Sequence, residues 1–401
     1  MGRISRGLAA MSERDREQAD LFFTDLMGLR RVPRQAPSFS PGGISPGGTR
    51  WREDVEAADP DRRLVQHPTL GYGWIMPTAA AMTPAAAAPA TRAGGARAED
   101  VSEHILGTDD RQLVADTTPI GFRFVCCLDL LFAHPTNPAQ TVLMRGSGTL
   151  ISNRHVLTAA HNILNTLPGS TSAVRQTATR IFAAPGRNGR VLPFGESRSR
   201  TLRVTPEWTA APDSQFDFGL ITLEDAIGET TPAVLRGAQL GFWSHPRLGG
   251  GTHIRPLDVT FLPGRPVNLD GYPVDKCLDQ PPNRPATAAE LAACTGTVPG
   301  NPRLTDLGST QWRAFGNVVQ ASPPSEPRSM TYDLDSATGH SGGPIWLRWE
   351  QYRNLVAVNT GGFPRPTAPF DIIANMGVRV TNDVLRTIRD WMRLDGVTAT
   401  F

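Results

Sequence analysis

Gly339-His340-Ser341-Gly342-Gly343-Pro344 lies between a polar turn and the apolar run Ile345-Trp346-Leu347. Glycines on both sides of a serine let the backbone approach another chain closely and let successive N–H groups point at one spot. That is what stabilising an oxyanion requires, so Ser341 is a candidate nucleophile. Taken alone, the stretch is also compatible with a Gly/Ser-rich turn without chemistry.

Which fold carries it depends on where its partners lie. The same letters satisfy Gly-x-Ser-x-Gly, the nucleophile elbow of α/β-hydrolases, in which the acid and then the histidine follow the serine. No histidine occurs after Ser341, so a histidine base must come from upstream. There, Gly146-Ser147-Gly148-Thr149-Leu150-Ile151 leads through Arg154-His155-Val156-Leu157 into Thr158-Ala159-Ala160-His161. A small-residue strand and a short turn would hold the His161 imidazole rigidly at the floor of a cleft, as a general base. His155, His245 and His253 read as ordinary structural histidines. The third member should be a carboxylate that orients the imidazole. Asp217, in Phe216-Asp217-Phe218-Gly219-Leu220-Ile221, is an acid at the threshold of an apolar strand, where burial without a partner is costly. Asp213 competes with it but lies in a polar loop. The resulting order is His, Asp, Ser.

The surrounding chain fits a β domain. Short apolar or alternating runs separated by turn residues recur at 122–132, 142–151, 218–223, 267–269, 345–349 and 355–358, the pattern of a barrel or sandwich. Only Asn382–Leu394 reads as a helix there, with Val384, Leu385, Ile388, Trp391 and Met392 on one face and Asn382 or Asp383 as cap. Before residue 100 the texture differs. A charged segment at 12–29 suggests one amphipathic helix, a Pro/Gly-rich stretch follows, and the Ala/Pro-rich run 78–98 is too poor in large apolar groups to offset ordering entropy. A boundary follows, with 1–103 as an N-terminal extension, largely disordered, and 104–401 as the β domain.

Composition excludes several classes. The net charge of +2 comes without any Lys/Arg run, which gives nucleic acid no groove, and Lys276 is the only lysine. No apolar stretch approaches the roughly 18 residues of a membrane span. Four cysteines without zinc-ligand spacing suggest no metal or other cofactor. Cys277 and Cys294 could clip one loop, whereas Cys126 and Cys127 look like residues of a buried strand. Met1-Gly-Arg-Ile-Ser-Arg has no apolar region followed by a cleavage site, so ordinary signal-peptide export is not expected.

Thr158-Ala159-Ala160-His161 and Gly339-His340-Ser341-Gly342-Gly343-Pro344 resemble the trypsin-like serine peptidases. Within them, Asp109-Asp110-Arg111, Asp116-Thr117-Thr118, Gly271-Tyr272-Pro273, Tyr332-Asp333-Leu334 and the closing helix resemble the bacterial glutamyl-endopeptidase branch, over roughly 104–394. The resemblance implies two six-stranded antiparallel β-barrels with the cleft between them, and a monomeric endopeptidase acting on protein or peptide substrates through an acyl-enzyme. It implies backbone N–H groups of Gly339 and Ser341 as the oxyanion hole, Asn359, Thr360 and Gly361 as the strand that pairs with substrate, and Thr338 and Asp335 beside the substrate pocket. It suggests secretion, which the absent signal leaves unassigned.

The chain departs from the family pattern in places. Asn162 stands where vertebrate trypsins have a cysteine. His340 replaces the aspartate that captures a new N-terminus in those enzymes. Residues 277–308 look like an insertion. Val358-Asn359-Thr360 lacks the histidine usual in glutamate-specific relatives. Asp335, six residues before Ser341, would select Arg or Lys if it pointed into the pocket, and would be a solvated turn residue otherwise. The resemblance also implies a zymogen, cut between Arg92 and His104. Two further classes stand beside the active peptidase: an inactive protease-fold binding module, and a processing protein whose barrel cuts only its own tail.

Overall fold

The computed structural model describes residues 103–134, 140–167, 175–189, 191–277, 308–323, 326–362 and 374–401, with the backbone of three strands between 52 and 77. The expected helix at 12–29, the low-complexity run 78–98, most of the 277–308 insertion and the Cys277–Cys294 pairing lie outside the described residues.

Three strands precede the β domain: β1 (Arg52–Asp54), β2 (Arg63–His67) and β3 (Gly71–Pro77). A short β4 (Gln112–Leu113) follows. The first barrel is made of β5 (Val125–Ala133), β6 (Gln140–Leu150) and β7 (His155–Thr158), then, after a hairpin of β8 (Leu164–Thr166) and β9 (Arg175–Thr177), of β10 (Arg180–Pro185), β11 (Ser197–Val204) and β12 (Gly219–Leu223). Its strand order is β6-β5-β10-β11-β12-β7, and β7 pairs back onto β6 at Thr149↔Leu157 to close the ring. The second barrel, reached through β13 (Thr252–Ile254), is built from β14 (Pro266–Gly271), β15 (Trp312–Ala321), β16 (Ser329–Tyr332), β17 (Pro344–Trp349), β18 (Tyr352–Gly362) and β19 (Asn375–Arg379). Its order is β18-β17-β14-β15-β16-β19, closed by β18–β19. The expected pair of closed six-stranded antiparallel barrels is therefore present, with β13 parallel to β18 and β4 on β15 as additions.

Within the extension the backbone of three strands is described. β3 pairs antiparallel with the leading half of β6, Gly73↔Met144 to Pro77↔Gln140, and β2 and β1 continue outward from it. The physical reason is an edge. β6 meets β7 only at Thr149 and Leu150, so its first residues offer unpaired N–H and C=O groups that β3 satisfies.

One apolar cluster fills the first barrel with Leu128, Leu150, Ile151, Val156, Leu220 and Ile221, and it runs on into the C-terminal helix. A second cluster fills the other barrel with Leu269, Ala314, Met330, Tyr332, Ile345 and Val356. Cys126 and Cys127 are free and buried on β5. Helix α2 (Asn382–Leu394), which follows a one-turn α1 (Pro206–Ala210), buries Val384, Leu385, Ile388 and Met392. Its cap is Thr381, whose hydroxyl accepts from Val384 N, one residue before the expected Asn382 or Asp383. Among the described residues no helix is long and apolar enough to cross a membrane.

A buried ion pair links two strands of the second barrel on the face opposite its apolar cluster. Arg313 on β15 grips Asp270 on β14 at 2.6 and 2.7 Å, both side chains being 1% exposed, and Trp346 Nε1 donates to the same carboxylate at 2.7 Å. The guanidinium lies 4.2 Å from the Phe122 ring centroid and 4.8 Å from that of Trp346. Asp270→Ala would strand a buried cation and an indole N–H, a loss of about 3–5 kcal/mol, to be read from the midpoint of urea unfolding. An unchanged midpoint would mean that the pair is dispensable.

Candidate active site

His161 sits on a 3₁₀ turn, Ala160–Asn162, directly after β7. Ala159 and Ala160 are fully buried, so the turn has no freedom to swing the ring. Asp217 ends another 3₁₀ turn, Ser214–Phe216, at the entry to β12. Since β12 is the neighbour of β7 at Gly219↔Thr158, the two turns emerge side by side. Asp217 Oδ1 accepts the backbone N–H of His161 at 2.9 Å, and Oδ2 lies 2.7 Å from His161 Nδ1. Asp213 is used elsewhere, accepting Gln215 N as the cap of its turn. Burial alone would disfavour charge on the imidazole, but the Asp217 carboxylate, by charge and by hydrogen bond, raises the pKa above the ordinary histidine value, and Glu103 adds to it.

Ser341 comes from the other barrel, on the loop from β16 to β17. Positive φ at Gly339 (98°) and Gly342 (87°) folds this loop tightly. At Gly342 a Cβ would fall 2.1 Å from both the Ser147 carbonyl oxygen and Thr158 Oγ1, so only glycine permits the contact. Ser147 N donates to the Ser341 carbonyl at 2.8 Å, and Ser147 Oγ donates to the Gly339 carbonyl at 2.6 Å while accepting from Tyr272 N at 2.9 Å. Asn162, next to His161, donates its amide to the Ser341 carbonyl at 2.9 Å. The backbone N–H groups of Gly339 and Ser341 have no acceptor among the described residues.

His340, behind the serine, is fully buried. Burial and the nearby Arg111 and Lys276 charges hold its ring well below the ordinary histidine range, so it is neutral, and its Nε2 has no partner among the described residues. The sole lysine is buried as well, with Nζ 2.8 Å from Asp109 Oδ2 and 4.4 Å from the Trp312 ring centroid.

The residues expected around the substrate pocket are placed as follows. Asp335 is buried. Its oxygens accept the backbone N–H groups of Leu106 at 2.7 Å and Asp110 at 3.2 Å, so it is neither a solvated turn residue nor a bare charge. Burial pushes its carboxyl up to about 6, with the Asp109 and Asp110 charges adding to the effect against the two N–H donors. The Thr338 carbonyl accepts Val274 N at 2.9 Å. Thr360 turns its hydroxyl to the Met376 carbonyl at 3.4 Å, and Gly361 lies past a bulge opposite Met376. Asn359 accepts the Tyr332 hydroxyl at 2.6 Å and points Nδ2 toward Ser336 Oγ at 3.1 Å.

One further residue enters the site that sequence reading left in the extension. Glu103 Oε1 accepts the Ser341 hydroxyl at 3.2 Å and Asn359 Nδ2 at 2.7 Å. Its only sequence signal was position, one residue ahead of the family-like segment.

No family model matches the chain. In sequence it is similar to glutamyl endopeptidase of Bacillus licheniformis, 24% identical over 292 residues, covering 72% of this chain and 68% of that protein. It is likewise similar to a Bacillus subtilis protein named extracellular metalloprotease, 23% identical over 288 residues, covering 72% of this chain and 69% of that one. A solved Glu endopeptidase superposes with a TM-score of 0.48 at 21% identity, over 72% of this chain and 99% of that chain. For the metal in the Bacillus subtilis name, no group of three His, Cys, Asp or Glu side chains among the described residues is placed to hold an ion.

Ser147→Ala would leave the Tyr272 N–H and the Gly339 carbonyl without their buried partner, a loss of about 1–3 kcal/mol measurable by urea unfolding. No loss would show that water replaces the hydroxyl. The two closed six-stranded antiparallel barrels match a chymotrypsin-like fold, and in sequence the chain is similar to glutamyl endopeptidase.

Proposed function

We propose that the chain hydrolyses peptide bonds through an acyl-enzyme on Ser341, with His161 as general base and Asp217 as its orienting carboxylate. The observation that carries this is the His161–Asp217 couple of the first barrel, held by two hydrogen bonds and joined to the Ser341 loop of the second through Asn162 and Ser147. An Nδ1–H donated to Asp217 leaves Nε2 as the basic nitrogen. That nitrogen takes the Ser341 proton as Oγ attacks the substrate carbonyl, and returns it to the leaving amine. The unpartnered N–H groups of Gly339 and Ser341 are the candidate donors to the oxyanion. Water then repeats the sequence on the acyl-enzyme.

Ser341→Ala and His161→Ala lower turnover of a peptide substrate by roughly 10⁴-fold or more and abolish labelling by a fluorophosphonate probe, with unfolding midpoints unchanged. Equal labelling of both variants and the wild type would defeat the assignment. His161 must be neutral to act as base, and its pKa is raised. Activity therefore climbs with pH through a limb lying above the ordinary value of about 6.5. Asp217→Asn, by removing the charge that supports the imidazolium, moves that limb to lower pH besides slowing turnover; a limb that stays in place would separate Asp217 from His161.

The pocket is suited to a carboxyl group. Asn359 Nδ2 donates to the Glu103 carboxyl and lies 3.1 Å from the Ser336 hydroxyl, while Asp335 is engaged by backbone donors. Asn359 thus offers a donor where glutamate-specific relatives have histidine. Profiling with a peptide library is expected to yield cleavage after acidic residues rather than after Arg or Lys, and the reverse preference would refute this pocket reading.

A further inference from the structure

The segment carrying Glu103 is stitched into the second barrel. His104 N donates to Asn375 Oδ1 at 2.8 Å, and its carbonyl accepts Asn375 Nδ2 at 2.7 Å and Ser336 N at 3.0 Å. Leu106 and Asp110 hold Asp335. Arg111 then anchors the segment, bonded to Asp109 and, through Nη1 at 3.1 Å and Nη2, to Asp275. This anchoring delivers the Glu103 side chain to the space in front of Ser341.

Three effects of that side chain oppose catalysis. Its Oε1 receives the hydroxyl proton that Ser341 must present to His161. Its carboxyl engages Asn359 Nδ2, the donor that the pocket reading above offers to a substrate side chain. Its charge supports the imidazolium, the protonation state in which His161 is no base. The carboxyl is also poorly satisfied for a structural anchor. Oε2 is buried without a partner among the described residues, and burial pushes the group up to about 7 against the pull of His161 and its hydroxyl and amide donors. A buried acceptor left unmade is costly, which suits an occupant that can be displaced.

We propose that Glu103 is an intramolecular stopper that occupies the substrate site and withholds Ser341 in the intact chain, so that the peptidase becomes competent when this side chain leaves. The proposal rests on the Ser341 nucleophile reading above. A protein whose competent state is only fractionally populated reacts in proportion to that fraction, so removing the stopper should speed reaction of Ser341, whereas a merely structural or a catalytic Glu103 should slow it when removed.

The test uses the full chain as wild type, Glu103→Ala, Glu103→Ser and Ser341→Ala, each with the rate of fluorophosphonate labelling at neutral pH. The mass of every labelled chain is measured to establish that residues 1–103 are still attached, and thermal unfolding checks that each variant is folded. The expected result is labelling of Glu103→Ala and Glu103→Ser at least about 10-fold faster than wild type, with none on Ser341→Ala. Equal rates for wild type and both Glu103 variants would overturn the stopper and leave the nucleophile assignment standing. Slower labelling of the folded variants would overturn it too, making Glu103 a supporting part of the site. No Ser341-dependent label on any chain would overturn the nucleophile assignment and the stopper together.

Discussion

The contact between Gly342 and the first barrel is the constraint on which the site depends. With a hydrogen where other residues have Cβ, the serine loop can rest against the Ser147 carbonyl and the Thr158 hydroxyl. That approach brings Ser341 O within hydrogen-bonding range of Ser147 N and the Asn162 amide. A cleft between two barrels usually owes its geometry to side-chain packing, which tolerates shifts of a few tenths of an ångström. Here the two halves meet backbone to backbone, and hydrogen-bond lengths set the spacing.

The acid half is fixed from a different direction. Phe218, next to Asp217, lies 5.7 Å from Trp391 of α2 between ring centroids, and Asp395 just past the helix accepts Arg203 at 2.7 and 2.8 Å, Thr222 at 2.7 Å and His155 at 3.0 Å. These partners belong to β11, β12 and β7, the strands that carry Asp217 and His161. The segment at Asp395 therefore clamps the first barrel at the strands next to His161 and Asp217, although in sequence it follows the second barrel. A helix whose apolar face covers a barrel and whose end grips three of its strands acts as a brace for the His161–Asp217 bond.

The fold was legible from the sequence where period and punctuation were strong. The apolar runs at 122–132, 142–151 and 345–349 fall on β5, β6 and β17, and the apolar stripe of α2 gave its bounds. Its cap was missed by one residue because Thr381, Asn382 and Asp383 are all capable caps, and only the backbone direction decides among them. The strands at 52–77 were missed because their partner is a stretch of β6 that looks no different in sequence from a strand paired on both sides. Of the residues singled out for chemistry, His161 and Asp217 are hydrogen-bonded, and the Ser341 carbonyl accepts the amide of Asn162, next to His161; Glu103 escaped notice because a lone glutamate beside a low-complexity run carries no pattern. Its role is created by the anchors at His104, Leu106 and Arg111, which are contacts of long range. Asp335 was poised between two readings, and two backbone donors brought from the same segment made it a third thing, a buried acceptor.

Two carboxyl groups thus share one imidazole. Asp217 is matched to it, receiving a ring nitrogen and a backbone N–H on its two oxygens, whereas Glu103 binds with one oxygen and has no partner for the other, buried one among the described residues. Electrostatics alone would favour both, since each supports a positive ring. Satisfaction of hydrogen bonds separates them, because a carboxylate is an acceptor-only group whose desolvation is offset by donors to each oxygen. Glu103 is comfortable only when a proton covers its spare oxygen, or when it is elsewhere. The difference between Asp217 and Glu103 is the difference between two donors on two oxygens and two donors on one.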